Sequence, residues 1–488
     1  MTKRVLGLAM VLVAALGLMG CTTPDDRTPP SSSPSTTERP SAPRPKDRDE
    51  EAVLSALRRI DLCAVLDKAL AATPGAPADA NPEAPQPSRC DLAGMRYPIS
   101  ATVVGLVHST RLSLQARVIG GAKGYVRHGS SSCAVFLPVS FEKAIEFSQV
   151  PHGTPSDEAC RTVVDLAAAS AGVLADPDTV QVAPRWNACD ALTDALGSEA
   201  EKTKLLGDGL DDCADFTHVP SPLSISFANE LVPTGDPRDV TIGGKQARIY
   251  EFDDGVCDID WRQGPFNSRY AAEPEYPVRL ISLDCDRGKT VAESLVRVLG
   301  EAPPDDVAPQ RLLLYAPDEP DSPYPGACAY VDGSDLNRCE PYVETRVPDQ
   351  PEELAKVGVT DGQVGCAAAM DAVGRQFGAG LRPVAIMGSC YFVEPERRIQ
   401  VLFAINPGRT IGDTGSTKVT VAGHPGFAKS SASYVDYRLS TSTTLEGDAT
   451  LELRVTTGPV VPKDGSLPAG NDKKAESVLT DILGAHFS

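Results

Sequence analysis

The chain has 488 residues, 41% hydrophobic and only 5% aromatic, so its interiors must be built mostly from Ala, Val and Leu. That length leaves room for about three domains. A formal charge of −20 argues against nucleic acid and anionic headgroups as partners, and it fits a solvated acidic surface.

In chain order, the leader comes first. Lys3 and Arg4 precede an uncharged apolar run, Val5 to Met19, which is shorter than the roughly 20 residues a membrane span needs. The run ends Leu18-Met19-Gly20-Cys21, which resembles the bacterial lipobox. The expectation is a lipoprotein signal peptide over 1–20 and a lipid on Cys21, with two or more acyl chains for stable anchoring. The alternative is an ordinary secretory signal with a chance cysteine. Residues 21–48 then form a spacer rich in Pro, Ser and Thr, with too few large apolar residues to bury a core. No later apolar run is long enough to span a bilayer. The chain is therefore expected on the outer face of the cytoplasmic membrane, with the membrane as partner through Cys21.

Removing Cys21 from thirteen cysteines leaves twelve, an even number that reads as disulfides in an oxidising compartment. None has zinc-ribbon or Cys-x-x-Cys spacing, and no metal or cofactor is expected. Three stretches repeat: IDLCAVLDKAL around Cys63, WNACDALTDALG around Cys189 and VGCAAAMDAVGRQFG around Cys366. Each reads as a short amphipathic helix with its cysteine in the first turn. Asp61 and Asn187 are candidate N-caps, and Gly197 and Gly378 candidate stops.

A second cysteine follows each helix, Cys90, Cys213 and Cys390, at separations of 27, 24 and 24 residues, and is expected on the first strand. Then come hairpin signals, ARVIGGAKGYVR, DVTIGGKQARIYEF and KVTVAGHPGFAK. Repeats one and two add a strand cysteine, Cys133 or Cys257, and one at the last helix, Cys160 or Cys285; repeat three lacks this pair. Cys328 and Cys339 remain, in the connector. Four cysteines per repeat allow three pairings. The recurring spacings, and the loss of one pair whole in repeat three, favour Cys63–Cys90, Cys133–Cys160, Cys189–Cys213, Cys257–Cys285, Cys328–Cys339 and Cys366–Cys390. On the chain-entropy model a loop of 24–28 residues contributes about 3.5 kcal/mol.

These signals predict an α+β fold of tandem repeats, each an antiparallel sheet with an N-terminal and a C-terminal helix packed on it. The boundaries are 49–178, 182–303 and 359–488, with a connector over 304–358. The cysteine-bearing opening helix, the Gly-Gly hairpin and the strand-to-last-helix cysteine pair resemble a family of actinobacterial secreted lipoproteins of unknown function. The resemblance covers repeats one and two, and repeat three in part. It implies a PsbP-like α+β domain on the cell surface, and no activity.

Signals of chemistry are sparse. The six histidines, His108, His128, His152, His218, His424 and His486, have no metal-ligand spacing. Ser140-Phe141-Glu142-Lys143 matches Ser-x-x-Lys of penicillin-binding enzymes, but the KTG and SDN-type partners are absent. The residues 411–419, IGDTGSTKV, read as a loop entering a strand. Asp208, Asp211 and Asp212, and separately Asp332 and Asp335, could offer oxygens to Ca²⁺, without EF-hand register. The expectation is a binding or scaffolding ectodomain, not an enzyme, for an unidentified protein, glycan or lipid. The alternative is a cell-wall hydrolase or acyltransferase with its site at a junction between repeats.

Overall fold

The structure is a computed structural model that describes residues 43–488, apart from 74–78, 95–97, 130–131, 150–156, 203, 208, 216–221, 228–236, 253–254, 305–306, 332–337 and 461–465. The leader, Cys21 and most of the spacer lie outside the described residues, as do His152, His218, Asp208, Asp332 and Asp335.

Asp49 caps a first helix, α1 (Glu50–Arg58), by accepting from the Ala52 N–H. Asp61 caps α2 (Leu62–Ala72), accepting from Cys63 and Ala64 at 3.0 and 3.4 Å. Such a cap contributes about 1 kcal/mol. Seven strands follow: β1 (Asn81–Gln86), β2 (Arg89–Ala93), β3 (Ile99–Gly105), β4 (Gln115–Ile119), β5 (Ala122–His128), β6 (Cys133–Pro138) and β7 (Lys143–Gln149). A five-residue helix, α3 (His108–Leu112), lies between β3 and β4, and α4 (Asp157–Ala175) closes the unit. The sheet is antiparallel, in the order β1-β2-β3-β7-β6-β5-β4.

Unit two repeats this plan. Asn187 caps α5 (Ala188–Leu196) through the Asp190 N–H at 2.8 Å, and Gly197 ends it at φ 55°. Its strands are β8 (Leu205–Leu206), β9 (Asp212–Asp215), β10 (Leu223–Ser226), β11 (Arg238–Ile242), β12 (Lys245–Glu251), β13 (Cys257–Gln263) and β14 (Tyr276–Ser282), closed by α6 (Cys285–Leu299). The order β8-β9-β10-β14-β13-β12-β11 is the same as in unit one.

Unit three has β15 (Cys339–Pro341), then α7 (Pro351–Gly358) and α8 (Gly362–Phe377). It continues with β16 (Arg382–Ile386), β17 (Ser389–Val393), β18 (Ile399–Pro407), β19 (Thr417–Val421), β20 (His424–Ser430), β21 (Tyr434–Ser440), β22 (Ala449–Thr457) and α9 (Asn471–His486). β15, from the connector, extends the edge of an otherwise identical sheet. Three copies of one topology, two meanders joined through their third and seventh strands, establish the repeated α+β plan. In each, the opening and closing helices pack side by side.

Six disulfides join Cys63–Cys90, Cys133–Cys160, Cys189–Cys213, Cys257–Cys285, Cys328–Cys339 and Cys366–Cys390, the same pairs that the recurring spacing favours. Two placements differ from expectation. Cys90, Cys213 and Cys390 sit one strand later than expected, on β2, β9 and β17, because another strand precedes each: the edge strands β1 and β8 in units one and two, and β16, itself flanked by β15, in unit three. In unit one that edge strand, Asn-Pro-Glu-Ala-Pro-Gln, carries two prolines, which only an edge tolerates. Cys366 lies in the second turn of α8, since Asp361, not a residue nearer the cysteine, is the cap.

The hairpin turns share one geometry. Gly120-Gly121, Gly243-Gly244 and Ala422-Gly423 have φ near 55° and 85° at both positions, as a type I′ turn demands. At Gly120 a Cβ would stand 2.2 Å from the Ala168 carbonyl oxygen of α4, so only glycine fits there. Where units one and two bolt a strand to the last helix with a disulfide, unit three uses its backbone: the Leu467 N–H, just before α9, donates to the Ala432 oxygen, just before β21, at 2.7 Å. Leu467 also packs on that core.

Residues 42–488 form one unit, because the connector is fastened along its length. Gln310 N–H donates to Ala52 O, Ser55 Oγ to Val307 O, and Lys123 N–H to Tyr315 O, each at 2.8 Å. The connector thus covers the face of sheet one opposite α2 and α4, where Leu106, Tyr125 and Phe136 form a second small core. With both faces covered, β6 is buried at all six positions. Residues 326–331 then pack against Val384 and Val393 of unit three, closed by Cys328–Cys339.

Candidate functional site

The residues singled out in the sequence do not assemble into a catalytic centre. Ser140 is 0% exposed, and its Oγ accepts from the Glu142 and Lys143 N–H groups, capping the β6–β7 turn. Lys143 reaches Glu50 instead, at 2.7 Å, so the Ser-x-x-Lys spacing is structural. Asp211 turns both carboxylate oxygens inward, away from a cation-binding surface. Burial pushes it up to about 6, while Ser88 and Arg185 pull the other way. Among the described residues one acid–cysteine group lies within metal-ligand range, Glu251, Cys257 and Cys285, and its two sulfurs are bonded to each other. His424 is buried in its hairpin, with Nδ1 3.0 Å from Ser440 O. His128 ends β5, 3.9 Å from Asp157, and His486 ends α9.

His108 faces a cavity between units one and three. This space, about 560 Å³, lies where α3, β4 and β5 of unit one meet the connector and the β17–β18 turn of unit three. That volume falls within the roughly 300–1,000 Å³ of small-molecule sites. His108 Nδ1 and Ser322 Oγ are 3.2 Å apart, and the His108 and Tyr324 rings are 4.7 Å apart. Ser322 is 3% exposed and also accepts from the Tyr324 N–H, which makes it a turn cap.

The cavity floor is made by four charged side chains and one phenol. Arg111, at the end of α3, donates through Nη2 to the carbonyls of Leu106, Ser140 and Phe141. Its Nη1 stands 3.5 Å from Asp321 of the connector. Asp321 also accepts from Tyr125 Oη at 2.9 Å and Lys123 Nζ at 3.3 Å. Burial first, then Asp321, raises the Tyr125 pKa, so the phenol stays protonated and donates.

Arg397 comes from the tight turn between β17 and β18. It donates through Nη1 to Arg111 O at 2.8 Å, in the last turn of α3, and through Nη2 to Leu114 O at 3.0 Å, just beyond that helix. Its guanidinium carbon lies 5.2 Å from the Tyr125 ring centroid. To reach there the residue adopts φ 56°, a region that arginine rarely enters. Gly458 permits the turn: a Cβ there would lie 2.2 Å from Arg397 O. Burial lowers the Arg397 pKa.

None of Arg111, Lys123, Tyr125, Asp321 and Arg397 carried a signal in the sequence. They lie on four separate elements, and each is an ordinary residue type in its local setting. The one faint clue is Arg397-Arg398 in a turn between two strongly apolar strands.

Comparison with family models, curated proteins and solved structures finds no match to this chain. Among the described residues no helix is long and apolar enough to cross a membrane.

Proposed function

We propose that this protein is an extracytoplasmic lipoprotein, anchored through Cys21 to the outer face of the cytoplasmic membrane, that holds a ligand between its first and third units. The leader, the lipobox-like end and the Pro-rich spacer support the anchor. Six disulfides fit an oxidising compartment. The resemblance to actinobacterial lipoproteins, and with it a PsbP-like ancestry for each unit, belongs to the same proposal.

The observation that carries the binding reading is the junction cavity. It lies between units that are each filled by a core of their own, so it is a product of their assembly. The connector and the Arg397 turn hold its walls in place. The ligand it suits is small and polar, in preference to a bilayer lipid's acyl chains.

Two experiments test this. Metabolic labelling with an alkyne fatty acid should tag the wild type and not Cys21→Ser; a tag that survives the substitution removes the anchor. Native mass spectrometry of the full chain, purified from its own envelope, should show a small adduct. Ala329→Trp, which fills the cavity, should abolish it. An adduct equally present in both, or in neither, ends the binding reading.

A further inference from the structure

The protein carries a formal charge of −20, yet the junction cavity has the opposite sign. Five cationic side chains line it: Arg111, Arg117, Lys123, Arg382 and Arg397. Three carboxylates do so: Asp318, Glu319 and Asp321. Glu319 is committed elsewhere, to Arg48 at 3.0 Å. Asp321 is the carboxylate that meets the floor cations, 3.5 Å from Arg111 and 3.3 Å from Lys123.

Arg111 and Arg397 are 2% and 4% exposed. Apart from Asp321, their partners are backbone carbonyls, which satisfy N–H groups without cancelling charge. Among the described residues, the buried Nε of each has no hydrogen-bond partner. Two buried guanidiniums, one on strained backbone, together with Lys123 give the floor of this open volume a surplus of positive charge. Tyr324 and Tyr330, both partly exposed, line the same space and offer aromatic surface of the kind a sugar ring packs on.

We propose that the junction cavity binds an oxyanion carried on a sugar-sized polar body, a phosphorylated or carboxylated sugar. The floor cations take the oxyanion, and the tyrosines take the ring. Arg117 and Arg382, both exposed at the cavity mouth, draw the anion in against the repulsion of the acidic surface around them. The same chemistry is presented by a free or wall-bound sugar phosphate and by an inositol-phosphate lipid headgroup. This inference rests on the cavity being the ligand site.

The test is calorimetric titration of the detergent-solubilised full chain. The probes are glucose 6-phosphate, glucuronate, glycerophosphoinositol and glucose. At least one of the three anions should bind in a saturable manner, at least about tenfold tighter than glucose, and weaken as salt rises. A preference for glycerophosphoinositol assigns the source to a lipid headgroup, and a preference for glucose 6-phosphate or glucuronate to a wall or soluble sugar; each supports the proposal. Arg111 and Arg397 hold the junction, so their loss could act through folding. The double variant Arg117→Gln/Arg382→Gln changes exposed side chains and should weaken anion binding about tenfold with unfolding unchanged. Lys123→Gln should do the same or more. The proposal is overturned if no anion binds, if glucose binds as tightly, or if both variants leave affinity unchanged. A neutral adduct seen by mass spectrometry and lost in Ala329→Trp would leave the cavity a ligand site while rejecting the anion.

Discussion

Two junctions hold unit one to its neighbours, and each is built around an arginine. At the junction with unit two, Arg185 donates to Ile60 O at 2.7 Å and to Pro87 O. At the junction with unit three, Arg397 donates to Arg111 O and Leu114 O. Both are depressed in pKa by burial, and both pin a foreign backbone through carbonyls. The surroundings differ. Arg185 has the inward-facing Asp211 acting on it electrostatically, and Arg58–Asp190 bridges the same pair of units at 3.0 Å. Trp186, Phe266 and Tyr276 line the slot beside Arg185. Arg397 must share one acid, Asp321, with Arg111 and Lys123. A junction with matched charge and aromatic packing serves as glue. Both junctions hold an open volume, about 460 Å³ beside Arg185 and about 560 Å³ beside Arg397, so it is the surplus positive charge of the second that gives it the makings of an anion site.

The largest expected difference comes from removing each arginine. Arg185→Ala strips two carbonyls of their donor and leaves Asp211 buried without its cation, which should cost about 3–5 kcal/mol. Arg397→Ala also frees two carbonyls, but it removes surplus charge, and should cost only about 1–2 kcal/mol. Urea melts of both variants at neutral pH decide this. Equal losses would break the contrast between the junctions.

Asp211 gives the second test. Its folded pKa lies above the ordinary carboxylate value of 3.8, so ionising it opposes folding. The stability it allows is present while it is protonated and is lost as pH rises from about 4 through about 6. That rise in pKa corresponds to about 3 kcal/mol. Asp211→Asn cannot titrate, so its stability relative to wild type should grow by about that amount between pH 4 and pH 7. A constant difference across that range would mean that Asp211 is not buried as a carboxylate at this junction.

The connector provides a third. Cys328–Cys339 closes a loop with a separation of 11 residues at the edge of unit three. Replacing both by alanine should cost about 2.5–3 kcal/mol on the chain-entropy model. It should also loosen the Gly326–Tyr330 wall of the cavity and leave the unit one–two junction intact. Hydrogen exchange should then rise around Tyr125 and Arg397, and not around Arg185. A uniform rise would show that the two junctions are one cooperative element.

This contrast also explains what was legible beforehand. Caps such as Asp61 and Asn187, the Gly-Gly turns and the cysteine intervals are written within about 30 residues of chain, so local rules read them. α1 and α7 carry helix-start signals, Asp49-Glu50-Glu51 and Pro351-Glu352-Glu353, but α1 abuts the spacer and α7 lies within the connector, where no recurring cysteine marks them. β1 was hidden by its two prolines. The cavity was out of reach for a different reason. The Arg397–Arg111 contact spans 286 residues, and no periodicity or spacing rule relates a turn in one unit to a short helix in another. Ser140 illustrates the opposite error: a motif match in sequence that the fold uses as a turn cap.

The smallest expected effect isolates the strain at Arg397. Alanine and glycine both remove the guanidinium, its two carbonyl contacts and its charge. They differ in the backbone they tolerate. At φ 56° an L-residue is disfavoured by about 1–2 kcal/mol, while glycine populates that region freely. Glycine gives back part of this through the entropy of the unfolded chain, about 0.5–1 kcal/mol. Arg397→Gly should therefore be more stable than Arg397→Ala by about 0.5–1 kcal/mol. Arg185 is not among the left-handed residues, so there the order should reverse, with alanine the more stable. Parallel denaturant melts of the four variants read this as a crossing of two pairs. If glycine is no better than alanine at 397, the turn holds no strain, and the unit-three arginine is positioned without cost, as glue would be.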